Sequence, residues 1–184
     1  MMASPPYMKT LNVLRWIAGA VAFLGAAVVF GQMASESRGA PAVRSPAGTA
    51  LIVATTLAST VGFFDANVVT VAVPAISRDL HASVASVQWI LTGYLLAVAG
   101  LLLVAGAFSD RFGRRRILAV GLTVMLVASL PCALAPSSGF LIAARVAQGI
   151  GAAMVVPSSL VLLNGTLRVS DRARGIGVWA GLAT

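Results

Sequence analysis

Two ionisable residues, Asp65 and Arg145, lie inside long apolar stretches of the chain. Each is the only charged residue of its stretch, at 50–73 and 139–163 respectively. Charged groups are costly in apolar surroundings and by default indicate a functional site. A carboxyl group there can carry a proton, and a nearby arginine would hold it in its charged form. Asp65 is therefore a candidate for proton transfer, which a nearby Arg145 would oppose; a plainer alternative has Asp65 only hydrogen-bonding to neighbouring helices.

The residues that follow Arg145 indicate which way its side chain faces. Gln148, Gly149 and Ala152 share its stripe at helical spacing, and this stripe is polar and small rather than lipid-like. Gly149 and Ala153 also form a small-xxx-small pair, which favours close helix packing. The spacing predicts an inward-facing arginine; the alternative is a side chain that extends to the outer membrane surface.

A second concentration of charge lies in GAFSDRFGRRRIL, residues 106–118. Four arginines and Asp110 lie among the seven residues at 110–116. A positively charged cytoplasmic anchor explains the arginines. It does not explain Asp110, which can cap a helix or pair with an arginine, nor the glycines at 106 and 113, which permit close approach and left-handed turns.

The composition shows which elements must hold these residues. The chain is 59% hydrophobic and 10% charged, with a mean hydropathy of +0.95, whereas soluble domains are about 25% charged. A helix of about 20 residues crosses a bilayer, and a spanning segment must satisfy its own backbone hydrogen bonds. The sequence predicts an all-α polytopic membrane protein with the start of a fifth helix from Gly175 and four full spans, at 50–73, 86–108, 117–135 and 139–163.

The charges between the spans predict their orientation. The loops predicted at 109–116 and 164–174 are rich in arginine and should be cytoplasmic. The first span then runs from inside to outside, which places Asp65 and Arg145 in the outer half of the membrane. The same arginines account for the net charge of +8 without a nucleic-acid partner.

Residues 1–48 form an N-terminal extension ahead of the transmembrane region at 49–184. An apolar segment at 16–31 follows two basic residues and has three interpretations. It is an additional or interfacial helix, or a signal peptide, or it is absent from a native product that starts at Met33. Ala, Ser, Pro and Gly dominate the linker at about 33–48, which predicts disorder there.

Three stretches resemble the major facilitator superfamily. GAFSDRFGRRRIL is similar to that family's motif between its second and third helices, G-x-L-x-D-R-x-G-R-[RK]-x-x-[LI], with Phe108 in place of leucine. LIAARVAQGIGAAMVVPSSL, at 141–160, resembles the fourth-helix motif R-x-x-Q-G-x-G-A-A. FFDANVVTVAVPAI, at 63–76, resembles the first-helix signature of the fourteen-helix drug–proton antiporter branch, but with Asn67 for threonine and Thr70 for asparagine.

The resemblance implies a fold and a set of roles. The fold is part of the N-terminal bundle of the major facilitator fold, in which an inverted repeat makes helices one and four neighbours. Asp65, Arg145 and Gln148 would couple proton movement to transport, and Asn67 and Thr70 are candidates for lining the cavity. The loop would be a conformational latch in which Asp110 meets the positive end of a helix in the opposite half. Its residues are Gly106, Asp110, Arg111, Gly113, Arg114 and Arg115.

The expected function is proton-coupled export of drug-like or other small organic molecules across the cytoplasmic membrane, with residues 1–184 as an N-terminal fragment. The expected partners are the lipid bilayer, protons, the substrate and the missing C-terminal helices. An uptake transporter for a metabolite, or a truncated protein acting through partner helices, remains open. The choice between antiport and symport also remains open, because the fifth-helix signature that would decide it is expected past Thr184. The sequence has no nucleotide-binding loop, metal-ligand spacing or catalytic triad, so neither a cofactor nor an enzyme activity is expected.

Overall fold

A computed structural model describes residues 42–183 of the 184-residue chain. Within that range the regular structure is helical, as the sequence predicts. Four helices there are long and apolar enough to cross a membrane, and a fifth begins after a short 3-10 turn at Val169–Asp171. They are α1 (Pro46–Asp79), α2 (Val84–Phe112), α3 (Arg114–Ala133), α4 (Ser138–Thr166) and α5 (Arg172–Ala183).

The prediction of a loop at 109–116 is wrong, because this segment is helical except at one residue. α2 continues through Asp110 and Arg111 to Phe112, and α3 begins at Arg114. Gly113 makes the whole connection with φ of 97°, a left-handed conformation that glycine adopts without strain. Charged residues are compatible with a helix, so the charges indicated the membrane boundary and not the end of the helix. The predicted loop at 164–174 is likewise shorter, with helix on both sides of the 3-10 turn.

The start of α1 corrects the extent of the predicted disorder. Residues 42–45 form a turn rather than a disordered linker, and α1 begins at Pro46, ahead of the predicted boundary at 48/49. The Ser45 hydroxyl caps the helix by accepting from the Gly48 amide at 3.1 Å. The Val43 amide donates to Asp171 Oδ2 at 3.1 Å, which ties this turn to the connection between α4 and α5. The apolar segment at 16–31 and the linker up to residue 41 lie outside the described residues.

Helix α4 packs against α1, α2 and α3, and glycines allow its closest approaches. A Cβ atom added at Gly151 would lie 2.8 Å from the carbonyl oxygen of Gly121 and 2.8 Å from the amide nitrogen of Met125, both on α3. A Cβ atom at Gly149 would lie 2.6 Å from the carbonyl oxygen of Tyr94 on α2. These contacts involve backbone atoms, so no side-chain rotation can relieve them.

The contact at Gly151 predicts that Gly151→Ala separates α3 from α4. Overpacking of this kind costs about 1–3 kcal/mol, and we expect the free energy of unfolding to fall by that amount. The matched control is Gly139→Ala in the same helix, where an added Cβ meets nothing within 4 Å. Denaturant unfolding of the purified protein in detergent measures both variants. Equal stability of the two variants would contradict the close packing of α3 on α4.

Candidate functional site

Asp65 and Arg145 meet inside the bundle, where α1 packs against α4. Arg145 Nη1 donates to Asp65 Oδ2 at 2.7 Å. Arg145 is 1% exposed and Asp65 is 5% exposed. The arginine side chain therefore does not extend to the membrane surface, which removes that alternative. The two apolar stretches have brought their single charges together.

The pair lies toward one end of the bundle. Arg145 is about two turns from the start of α4 at Ser138, and Asp65 is about four turns from the end of α1 at Asp79. The arginine-rich connection at Gly113 lies at the opposite end of the bundle. The predicted orientation, with the arginines on the cytoplasmic side, would place the pair in the outer half.

Gln148 closes a ring with the two charged side chains. Arg145 Nη1 also donates to Gln148 Oε1 at 2.8 Å, and Gln148 Nε2 donates to Asp65 Oδ1 at 3.2 Å. Gln148 is 3% exposed, so all three groups are withdrawn from solvent. We call Asp65, Arg145 and Gln148 the ion-pair ring. Both carboxylate oxygens accept a hydrogen bond within it, which favours the charged carboxylate.

Tyr94 on α2 covers the arginine, a contact that the sequence analysis missed. The guanidinium carbon of Arg145 lies 4.3 Å from the centroid of the Tyr94 ring, at cation–π distance. The Tyr94 hydroxyl donates to the Gly62 carbonyl at 3.1 Å, which fixes the ring against α1. The sequence did offer one signal for this contact, which was a tyrosine directly after Gly93 in a largely apolar span. Arg145 Nε has no hydrogen-bond partner among the described residues.

Helix α3 contributes two further side chains that the sequence analysis gave no role. Gln148 Nε2 donates to Ser129 Oγ at 2.9 Å, and Cys132 Sγ donates to Gln148 Oε1 at 3.1 Å. Ser129 and Cys132 are three residues apart, so they lie on the same helix face. That spacing of two polar side chains was the signal in the sequence. Four helices therefore converge on the ion-pair ring.

Asn67 and Thr70 lie apart from this cluster. Both are on an exposed face of α1, whereas Asp65 is on the buried face. The Asn67 side chain donates to the Phe63 carbonyl of its own helix at 2.8 Å. The lining role of these two residues stays a prediction.

At the other end of the bundle, Arg114 joins three helices. Its Nη2 atom lies 3.5 Å from Asp110 Oδ1, on the last turn of α2. Its Nη1 atom donates to the Val161 carbonyl at 3.3 Å, and the guanidinium group lies where a side chain at Gly165 would have to be. Asp110 itself remains exposed.

The other predicted latch residues have unequal surroundings. At Gly106 an added Cβ atom would meet no described residue within 4 Å, so its role in close helix approach stays a prediction. Gly113 also has open space, and its requirement is the positive φ. The Arg111 guanidinium carbon lies 5.7 Å from the centroid of the neighbouring Phe112 ring. A cleft of about 500 Å³ is lined by seven residues that include Asp110, Gly113, Arg114 and Arg115.

Comparison with known proteins identifies the family of this chain. The family model described as Major Facilitator Superfamily matches residues 55–184. The methylenomycin A resistance protein of Bacillus subtilis is 40% identical over 141 residues, covering 76% of this chain and 30% of the relative. The tetracenomycin C resistance and export protein of Streptomyces glaucescens is 43% identical over 118 residues, covering 64% of this chain and 22% of that protein.

A third relative is the cephamycin export protein CmcT of Amycolatopsis lactamdurans. It is 45% identical over 120 residues, covering 65% of this chain and 24% of that protein. The chain thus spans between about a fifth and a third of the length of these three relatives. Because the family model covers well over half of it, the chain belongs to the major facilitator superfamily and forms part of that family's all-α helix bundle in the cell membrane.

Proposed function

We propose that this chain is the N-terminal part of a proton-coupled transporter that exports drug-like organic molecules, with Asp65 as the group that binds the proton. The observation that carries the proposal is the buried ion pair of Asp65 and Arg145. Relatives named for antibiotic resistance and export support the direction of transport and the class of substrate. In this proposal Arg145 and Gln148 assist coupling by stabilising the charged carboxylate.

The physical basis is the cost of leaving a buried charge without its partner. A proton on Asp65 removes the counter-charge of Arg145, whose partners among the described residues are then a neutral carboxyl group, the Gln148 carbonyl and the Tyr94 ring. An uncompensated buried charge is strongly destabilising, by about 3–5 kcal/mol. The protonated site therefore favours a different arrangement of the helices, in which Arg145 gains new partners. This difference in free energy between two states is what coupling requires.

The latch residues extend the proposal to the cytoplasmic side. The exposed Asp110 carboxylate is available to the N-terminal end of a helix in the opposite half of the transporter, where the helix dipole attracts an anion. Arg114 bonds the junction between α2 and α3 to the last turns of α4, the helix that carries Arg145. A movement of α4 at the ion-pair ring would therefore also be felt at the latch.

The proton role of Asp65 predicts that Asp65→Asn abolishes the pH dependence of transport. Asparagine keeps a hydrogen-bond acceptor but cannot bind the proton, so we expect export to fall at least about tenfold. The measurement is transport in vesicles with an imposed pH gradient. It uses the native protein, which is the natural product that contains this chain. Asp79→Asn, at the far end of α1, is the matched control. A transport rate independent of pH in both wild type and Asp65→Asn would count against the proposal.

The ion pair also predicts non-additive effects on stability. Asp65→Asn alone leaves Arg145 unpaired and should lower the free energy of unfolding by about 3–5 kcal/mol. Adding Arg145→Gln removes the unpaired charge, so the double variant should be more stable than the sum of the two single changes implies. Thermal or denaturant unfolding of all four proteins in detergent measures this coupling. Strict additivity would mean that the two charges do not interact in the membrane protein.

The latch predicts that Asp110→Asn opens the cytoplasmic side. Losing the carboxylate removes its attraction to the opposite helix end and should raise the population of inward-open molecules severalfold. Labelling of Phe112→Cys, in a background from which Cys132 and any cysteine outside residues 1–184 have been removed, reports this opening as a faster rate. Asp79→Asn is again the control, because it makes the same chemical change at the other end of the bundle. Equal labelling rates in the two variants would exclude a latch role for Asp110.

A further inference from the structure

We propose that Ser129 and Cys132 are positioning residues of the proton site, because they hold the amide of Gln148 in one orientation. Neither residue touches Asp65 or Arg145 in the hydrogen-bond network; both act on Gln148. The orientation itself follows from the contacts alone. Its effect on proton coupling rests on the function proposed above.

The chemistry of the partners assigns every hydrogen in the network. A guanidinium group can only donate and a carboxylate can only accept. The atom of Gln148 at 2.8 Å from Arg145 Nη1 must therefore be the carbonyl oxygen, and the atom at 3.2 Å from Asp65 Oδ1 must be the amino nitrogen. The amide orientation is thus set by two charges of opposite sign.

Helix α3 fixes the same orientation from the other side. The Ser129 hydroxyl donates its hydrogen to the Met125 carbonyl at 2.8 Å, so its oxygen is left to accept from Gln148 Nε2 at 2.9 Å. Cys132 Sγ lies 3.1 Å from Gln148 Oε1, which can only accept, so the thiol donates. A flipped amide would set its N–H groups against Arg145 and its carbonyl oxygen against the Asp65 carboxylate.

We call the contacts of Ser129 and Cys132 with the Gln148 amide the clamp. The clamp affects the charge on Asp65. The terminal torsion of a glutamine side chain is broad, so an unclamped amide could turn away from the carboxylate. With Ser129 in place, one amide N–H is held on serine and the other is left for Asp65. When Asp65 takes up a proton, its charge-assisted bonds to Arg145 and Gln148 weaken. Gln148 Oε1 is shared between Arg145 and Cys132, so the change reaches the thiol on α3.

The titratable groups around the site allow the positioning role of Ser129 and Cys132 to be tested through the pH dependence of transport. The titratable or charged side chains that face it are Asp65 from α1, Tyr94 from α2, Cys132 from α3 and Arg145 from α4. Helix α5 reaches α1 at Ser59 through Trp179, which does not titrate. Asp65 is the only one of these groups that titrates in the acidic range when unperturbed.

The first experiment is infrared spectroscopy of the Cys132 S–H stretch in the native protein. The band is assigned by difference from Cys132→Ala, because residues 1–184 contain one cysteine. We expect the frequency of a hydrogen-bonded thiol in wild type. We also expect a shift toward a free thiol in Gln148→Leu and a smaller shift in Asp65→Asn, which mimics the uncharged carboxyl. One unchanged frequency in all three proteins would overturn the clamp. This result does not depend on transport, so it stands apart from the proposed function.

The second experiment compares transport between substitutions that keep or remove each partner. Ser129→Ala should lower export about tenfold, the effect of one buried hydrogen bond, and should change the pH profile; Ser129→Thr should preserve both. Cys132→Ser should likewise preserve the profile. Thr123→Ala is the matched control, since its exposed hydroxyl also bonds its own helix, at 2.8 Å to Ala119. Identical pH profiles in Ser129→Ala and Thr123→Ala would reduce Ser129 to a structural role.

If wild-type transport has no pH dependence, the proposed function fails and the infrared experiment alone decides the clamp. If Ser129→Ala does not fold, Ser129→Thr and Cys132→Ser still test the requirement for a hydroxyl and a donor. A pH profile in either conservative variant that differs from wild type by as much as that of Asp65→Asn would contradict the proposal.

Discussion

The structure depends on one interaction, the buried hydrogen-bonded ion pair between Asp65 on α1 and Arg145 on α4. Removing two charges from solvent is expensive, and their attraction compensates only if the other polar atoms around them also find partners. The helices around the pair supply most of these partners, and Arg145 Nε is left without one among the described residues. Gln148 comes from α4 itself, the Tyr94 ring from α2, and the serine and thiol that hold Gln148 from α3. The bundle can be understood as the set of helices needed to keep this pair satisfied.

Gly149, the residue that follows Gln148, affects both the packing of the helices and the surroundings of Arg145. Gly149 allows the backbone of α2 so close that an added Cβ atom would lie 2.6 Å from the Tyr94 carbonyl oxygen. The same approach brings the Tyr94 ring over the Arg145 guanidinium group. A larger residue at 149 would push α2 away and take with it the only aromatic partner that the structure gives Arg145 among the described residues. The fourth-helix motif therefore combines a charge, an amide and the small residue that lets both be enclosed.

The sequence predicted the spans and the charged pair because both are strong signals. A single charge in a long apolar stretch stands out, and the inverted repeat makes α1 and α4 neighbours. Tyr94, Ser129 and Cys132 gave a weaker signal, since one polar side chain on a membrane helix usually bonds to its own backbone. The loop at 109–116 was misjudged because charge marks the membrane surface, whereas the conformation of Gly113 decides where the helix ends. Asn67 and Thr70 lie on an exposed face of α1, and their role in lining a cavity stays a prediction.

The three arginines at the start of α3 bring the positive end of a helix and positive side chains together, which is unfavourable on its own. No side chain caps this helix start. Arg114 offsets part of the cost by turning to the last turns of α4, where the carbonyl groups carry partial negative charge, and by approaching Asp110. Arg114, which the predicted orientation puts on the cytoplasmic side, thus also bonds α3 to the far end of the helix that bears Arg145. Pro157 lies between Arg145 and Val161, so the ion-pair ring and this junction are connected through a helix whose backbone hydrogen bonding a proline interrupts.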